Sequence, residues 1–332
     1  MHKNFFLSSS PLALALLFAW AVLYAQEPAK APEAVKPVDP FVAAQTQLKD
    51  DNYMVRRQGL LAVGRMNNPE VQEILLKGLK DKHPYVRSAA VDLLGRRRVK
   101  EAVPGILKLL RKDDNPMVRQ QAAVALGYLA APEAVEHLLD ALKDDAEGVR
   151  FTAASTLGRM RAGEAKKKLE KLLTDDAPVM RRVAATALGQ IGSDDSVEPL
   201  VAALSDSDAY VRRESVRALG LIGSPKSRTA LESMLEDGDD MVRADAAAAL
   251  GPLGGDAWEK VAVSLLSHKD ARIRQQAASA LGANGSKSAG LTALTHAFET
   301  EKDAAVKNGL QFALRQIKRR HNIEDEKPRG KK

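Results

Sequence analysis

The sequence predicts an all-α chain folded as an α-solenoid, a stack of helical hairpins, and three observations carry that expectation. A basic residue recurs at Arg56, Arg87, Arg119, Arg150, Arg181, Arg212, Arg243, Arg274 and Lys307, at intervals of 31, 32, 31, 31, 31, 31, 31 and 33 residues. Eight residues after each stands Gly64, Gly95, Gly127, Gly158, Gly189, Gly220, Gly251 and Gly282, with Arg315 in the last copy. The chain is 45% hydrophobic but only 4% aromatic, so its core is made of Ala, Leu and Val, which suits closely packed helices. A fixed period of this length overrides any domain count taken from the chain length of 332 residues.

The first helix of each repeat is set by the residues around the arginine. Counting from the hydrophobe before it, small or apolar residues fall at 0, 4, 7, 8 and 11, as in Val211, Ser215, Ala218, Leu219 and Ile222. That spacing is one helical face. A turn comes next, legible as "GSDDS" at 192–196, "GSPKS" at 223–227 and "GSKS" at 285–288, where glycine supplies a positive φ. Ser224 before Pro225, and Asn68 before Pro69, are expected to cap the next helix. The second helix then covers segments such as "AVEHLLDAL" at 134–142 and "VEPLVAAL" at 197–204. One hairpin cannot bury its apolar face alone, so hairpins are expected to stack. Eight complete hairpins run from about 51 to 299, with a lone second helix at 39–50 before them and a lone first helix at 303–319 after them as caps.

The flanks read differently. Residues 1–25 carry His2 and Lys3, then an apolar run from Pro11 to Tyr24 of 14 residues, then Ala25. A bilayer-spanning helix needs about 20 residues, so this is read as a signal peptide cleaved near Ala25, with an uncleaved inner-membrane anchor as the alternative. The expected destination is the bacterial periplasm. Residues 26–38 are a Pro/Ala-rich linker, 39–319 the solenoid, and 320–332 a basic disordered tail. The net charge of +7 is mostly a tail property: residues 315–332 carry +5 and the body from 41 to 314 only +2. The absence of Cys excludes disulfides and a lipid-modified N-terminal cysteine.

The pattern in "DDAPVMRRVAATALGQIGSDDSVEPLVAAL" (175–204) resembles the HEAT repeat, specifically the bacterial phycobilisome-lyase-like subtype, over nearly everything from 40 to 318. The resemblance implies a right-handed superhelix whose second helices line the concave side. It says little about function. Enzymes of this superfamily include bilin lyases and DNA glycosylases, but an exported protein would rarely meet either substrate.

The recurring arginines sit at the edge of the buried face, with acids in the preceding turns at Asp51, Asp114, Asp145, Asp176, Asp206, Asp237 and Asp270. We read Arg56, Arg87, Arg119, Arg150, Arg181, Arg212, Arg243 and Arg274 as a structural Asp-to-Arg ladder between neighbouring hairpins, as HEAT repeats make. A phosphate- or carboxylate-gripping stripe is the competing reading. It would not need an acid beside almost every arginine.

No catalytic centre is legible. The histidines outside the signal region stand at 83, 137, 268, 296 and 321, with none paired at metal-ligand spacing. There is no thiolate nucleophile and no nucleophile elbow. The reading is therefore a non-enzyme with no metal and no cofactor. Function is expected on the second helices, two residues past the central apolar residue, at Lys77, Lys108, Asp140, Lys171, Ala202, Ser233, Ser264 and His296, and one residue before it at His137 and Lys168. The half nearer the N-terminus is mostly basic, which suits an acidic segment of a protein or peptide partner. A monomer is expected and nucleic acid is not, since little aromatic interleaving is present. Two alternatives stay open: a lyase-like accessory that handles a prosthetic group, and a membrane-surface adaptor acting through the basic tail.

Overall fold

The computed structural model describes residues 38–323. The signal-peptide reading, the linker up to residue 37 and the tail from residue 324 lie outside the described residues. The chain separates into two units, 1–43 and 44–332, and the stacked hairpins belong to the second. Among the described residues there are helices and turns and no strand, and no helix is long and apolar enough to cross a membrane.

The first helices span Tyr53–Val63, Pro84–Arg96, Pro116–Leu129, Glu147–Arg159, Pro178–Ile191, Ala209–Ile222, Asp240–Leu250, Ala271–Asn284 and Ala304–Arg320. The second helices are Val71–Gly78, Val103–Lys112, Ala134–Ala141, Lys166–Leu172, Val197–Ala202, Arg228–Ser233, Ala257–Leu265 and Ala289–Thr300, and Pro40–Gln47 precedes them all. Successive first helices pack on one another, and most second helices pack chiefly on the next first helix in the chain. The core lies between the two rows. Leu94, Leu126, Leu157, Leu188, Leu219, Leu250 and Leu281 are at most 1% exposed, and so are the central residues Leu75, Ile106, Leu138, Leu169, Leu200, Leu231, Ala262 and Leu294 of the second helices.

The glycine eight residues after each arginine sets how closely first helices approach. A Cβ on Gly189 would stand 2.7 Å from Ala218 Cα, and one on Gly158 2.6 Å from Ala187 Cα. No side chain larger than hydrogen fits there without the helices parting. Turn glycines behave less uniformly. Gly192 and Gly223 have φ of +75° and +67°, as the turn requires, but Gly285 has φ −61° and ends its helix in an extended conformation. Asn68 accepts the Glu70 N–H at 2.8 Å, whereas Ser224 makes no side-chain cap and its carbonyl instead accepts the Ser227 hydroxyl at 2.7 Å.

The arginine ladder is built differently from the expectation. Arg181 Nε and Nη2 donate to Asp206 at 2.7 and 2.8 Å, while Nη1 donates to the backbone carbonyls of Asp175 and Asp176 at 2.9 and 3.1 Å. The carboxylate therefore comes from the next repeat, and the preceding turn supplies main-chain oxygens. The same two-sided grip joins Arg56 to Asp81, Arg87 to Asp113, Arg119 to Asp144, Arg212 to Asp237 and Arg274 to Glu301. Asp51, Asp114, Asp145 and Asp176 offer carbonyls only. Asp206 and Asp237 do hold arginines, but those of the repeat before. The reason is reach: in its own turn the guanidinium meets the peptide oxygens that no helical N–H uses, and its fork points across the junction.

Two expected rungs lack this pairing. Arg150 binds the carbonyls of Asp144 and Asp145 but forms no salt bridge with Asp175, which stands at the rung position. At the seventh junction the rung residue is His268. Its Nδ1 accepts the Asp270 N–H at 3.0 Å, its Nε2 lies 2.8 Å from Asp240 Oδ2, and Arg243 pairs with Asp240 of its own helix.

Each rung acid also caps. Asp81, Asp113, Asp144, Asp206 and Asp237 accept the N–H two residues on, at 2.8 to 3.0 Å. Asp206, Asp237 and Glu301 are held below the ordinary carboxylate range, first by the arginine hydrogen bond. At Asp81 and Asp144 burial is the largest influence and pushes upward, but the arginine and backbone hydrogen bonds together outweigh it.

The final helix passes the expected boundary by one residue. Arg320, read with the tail, is helical and donates to the carbonyls of Ala283 and Gly285, and His321 Nε2 lies 3.1 Å from Gly285 O. Helix C-terminal cations seek free carbonyls, and here the neighbouring turn provides them.

Candidate partner-binding surface

On each second helix the buried central residue fixes what points away. A residue two positions later is rotated by about 200° in a helix of 3.6 residues per turn, so it must face solvent. Lys77, Lys108, Asp140, Lys171, Ala202, Ser233, Ser264 and His296 are all exposed. His137 is half-buried, and Lys168 is exposed with its Nζ donating to the Leu139 carbonyl at 3.3 Å, which ties two neighbouring second helices together. Lys77 is bonded to Glu73 at 2.7 Å on the open surface, an i,i+4 pair worth only about 0.3–0.5 kcal/mol. Lys108 and Lys171 form no salt bridge among the described residues.

A second row lies five residues past the central one and was not anticipated. Lys80, Arg111, Lys143, Thr174, Ser205, Glu236, Ser267 and Glu299 are all exposed and run from basic through neutral to acidic along the array. Arg111 and Glu299 lie in the last turn of their second helices, and the other six stand just past the C-terminal ends of theirs, so this row borders the first at the helix ends. Only the register of the central residue reveals it; composition averages it away. Between the first two second helices of the array, Leu76, Leu79 and Leu109 floor a groove of about 510 Å³ rimmed by Lys77, Lys80 and Lys108 together with Glu73 and Glu101.

A cavity of about 1040 Å³ lies at the other end, between Ala257–Leu265 and Ala289–Thr300. Ala289, Ala293 and Ala297, four apart, present a small-residue face there, and His268 and His296 flank it. His296 belongs to the anticipated row. His268 does not, and its signal is the break in the Asp series at the rung position.

The HEAT-repeat family model matches residues 43–111, 103–184, 167–251 and 233–315. The chain belongs to the HEAT-repeat family. Among solved structures it is similar to YibA of Escherichia coli, at 21% identity and a TM-score of 0.53, covering 81% of this chain and 97% of that one. It is also similar to the CpcE and CpcF complex of phycocyanin lyase from Nostoc, at 22% identity and a TM-score of 0.40, covering 76% and 97%. Human deoxyhypusine hydroxylase matches at 22% identity and a TM-score of 0.34, covering 84% and 96%. Likeness at these identities concerns the fold. No curated protein matches the chain.

Proposed function

We propose that this HEAT-repeat chain is an exported, non-catalytic scaffold that binds an extended, acidic segment of another protein along its second helices. One observation carries the reading. Lys77, Lys80, Lys108, Arg111, Lys143 and Lys171 stand in two adjacent exposed rows over the half nearer the N-terminus, with Asp140 the one acid in those rows there, while Glu236 and Glu299 occupy the far half. A field of one sign over one half steers an acidic ligand and fixes its direction. The apolar floor at Leu76, Leu79 and Leu109 gives anchor side chains somewhere to go. Export rests on the N-terminal reading alone, and intact-mass measurement of secreted protein should give a chain beginning at Gln26.

The test is fluorescence anisotropy with a labelled oligoglutamate peptide, followed by capture from envelope extracts. Wild-type chain should bind the peptide in a salt-sensitive way, and the Lys108→Glu/Lys171→Glu variant should lose at least tenfold, about 1.4 kcal/mol. Equal binding by both would remove the second-helix rows from consideration.

A further inference from the structure

The turns that join first to second helices in the second, third and fourth repeats end their helices with a left-handed residue. Arg98, Ala130 and Arg161 have φ of +55°, +48° and +52°. In each, the left-handed residue and its successor close paired bonds: Arg98 N–H to Gly95 O at 3.0 Å with Val99 N–H to Leu94 O at 3.0 Å, and Arg161 N–H to Gly158 O at 2.8 Å with Ala162 N–H to Leu157 O at 3.0 Å. That motif favours glycine, and the equivalent positions of the next three repeats are Gly192, Gly223 and Gly254, all at positive φ. Three non-glycine residues, two of them arginines, thus occupy a conformation that a Cβ disfavours where the next three repeats use glycine. Ala130 takes the same conformation with only a methyl group to place, so the charge around Arg98 and Arg161 is what bears on their role.

The surroundings say what that is. Segments 96–101 (RRRVKE) and 159–167 (RMRAGEAKK) each carry four cations and one acid, whereas 190–195 (QIGSDD) has two acids and no cation. Arg96 is held by Asp92, Arg97 by the Gly64 carbonyl, and Lys166 by Asp195, while Arg159 lies over the Tyr128 ring at 5.7 Å. Arg98, Lys100, Arg161 and Lys167 are exposed and form no salt bridge among the described residues. Neighbouring helices pack about 8–10 Å apart, so Arg98 and Arg161, two junctions apart at one register, lie about 16–20 Å apart. Tyr128, 41% exposed, lies near the end of the helix between them, and a cavity of about 600 Å³ is lined by Arg98, Lys100, Val103, Tyr128 and Pro132, with Glu133 the one acid in it. Leu221, at the register of Tyr128 three repeats on, is 68% exposed.

We propose that this edge of the array docks on an anionic phospholipid surface, with Arg98, Lys100, Arg161 and Lys167 facing the headgroups and Tyr128 at the interface. Four unneutralised cations with an amphipathic ring suit charged headgroups beside an apolar phase. A single-stranded nucleic acid would call for several stacking rings, and this edge has one; a duplex is the competing ligand that the test must separate. The site is separate from the second-helix rows and does not depend on the reading given for them.

Flotation of the full chain tests it, using vesicles of phosphatidylcholine alone and of phosphatidylcholine mixed with phosphatidylglycerol. The readout is the preference for the anionic vesicles, which sets aside any uptake through the apolar run at 11–24. Each cation near such a surface is worth about fivefold in partitioning. Arg98→Gly/Arg161→Gly should therefore cut the preference about 25-fold while the melting temperature stays level or rises, because the turn strain is relieved. Arg98→Gln/Arg161→Gln should cut it equally without that rise. Three results would overturn the proposal: an unchanged preference in both variants; a preference lost only when Lys327, Arg329, Lys331 and Lys332 become Gln, which would assign binding to the tail; or tighter binding to duplex DNA than to anionic vesicles, abolished by the same arginine changes. Oligoglutamate binding should be the same in all of these edge variants and the wild type.

Discussion

Arg181 is bonded to four oxygens at once, two of a carboxylate across the junction and two of its own turn. Its side chain is 13% exposed and that of Asp206 10%, so removal leaves a nearly buried carboxylate with the Asp208 N–H alone and two carbonyls without their donor. Arg181→Ala should cost about 2–4 kcal/mol in urea denaturation with oligoglutamate binding unchanged. Arg150→Ala, which loses carbonyl bonds but no salt bridge, should cost about 1 kcal/mol. The acids fix the sign of the pH response. Asp81, Asp144, Asp206, Asp237 and Glu301 are lowered in the folded state, so each contributes stability that is present above its unfolded value and is lost as pH falls through the folded one. Asp245, buried beside Arg213, is raised by desolvation first and contributes in the opposite sense. Glu73, Asp194, Asp195 and Asp270 are lowered as well, and nine against one means that the urea midpoint should drop on going from about pH 7 to below about pH 4.

At the scale of the helix, small residues decide the spacing. Gly189→Ala puts a methyl group against the Ala218 backbone of the next first helix and should destabilise by about 1–3 kcal/mol. Gly163 has nothing within 4 Å of an added Cβ, so Gly163→Ala should stay within about 0.5 kcal/mol of wild type. Thermal melts of the two variants would show whether close approach, rather than glycine content, holds the stack. The periodic glycine was visible in the sequence, but not which atoms it meets. Gly285 shows the limit: it sits in a turn like Gly192, yet its backbone is extended, because local composition does not choose φ where neighbouring helices also constrain the chain.

Across the array, stability is a sum of repeat terms and junction terms, so a weak junction is where the stack opens first. The seventh junction has His268 in place of the rung acid, and Arg243 turns back to Asp240. The large cavity between Ala257–Leu265 and Ala289–Thr300 adjoins it. Native-state hydrogen exchange should find amides of Asp240–Leu250 and Ala271–Asn284 opening at lower free energy than those of Pro178–Ile191 and Ala209–Ile222, where the Arg181 rung is intact. Equal protection of both pairs would show that apolar packing alone sets junction strength.

The sequence by itself determined the repeat: its period, its two helices, the central buried residue, and hence the outward row from Lys77 to His296. Those features rest on helical geometry, in which a residue's direction is fixed by its distance from a buried neighbour. The identity of each arginine's partner, the strained turns at Arg98 and Arg161 and the binding of Arg320 to the preceding turn were decided only by the tertiary structure. Each joins residues 25 or more apart in the chain or depends on backbone torsions, and a period of 31 says that two turns are equivalent without saying which atoms face each other across the junction.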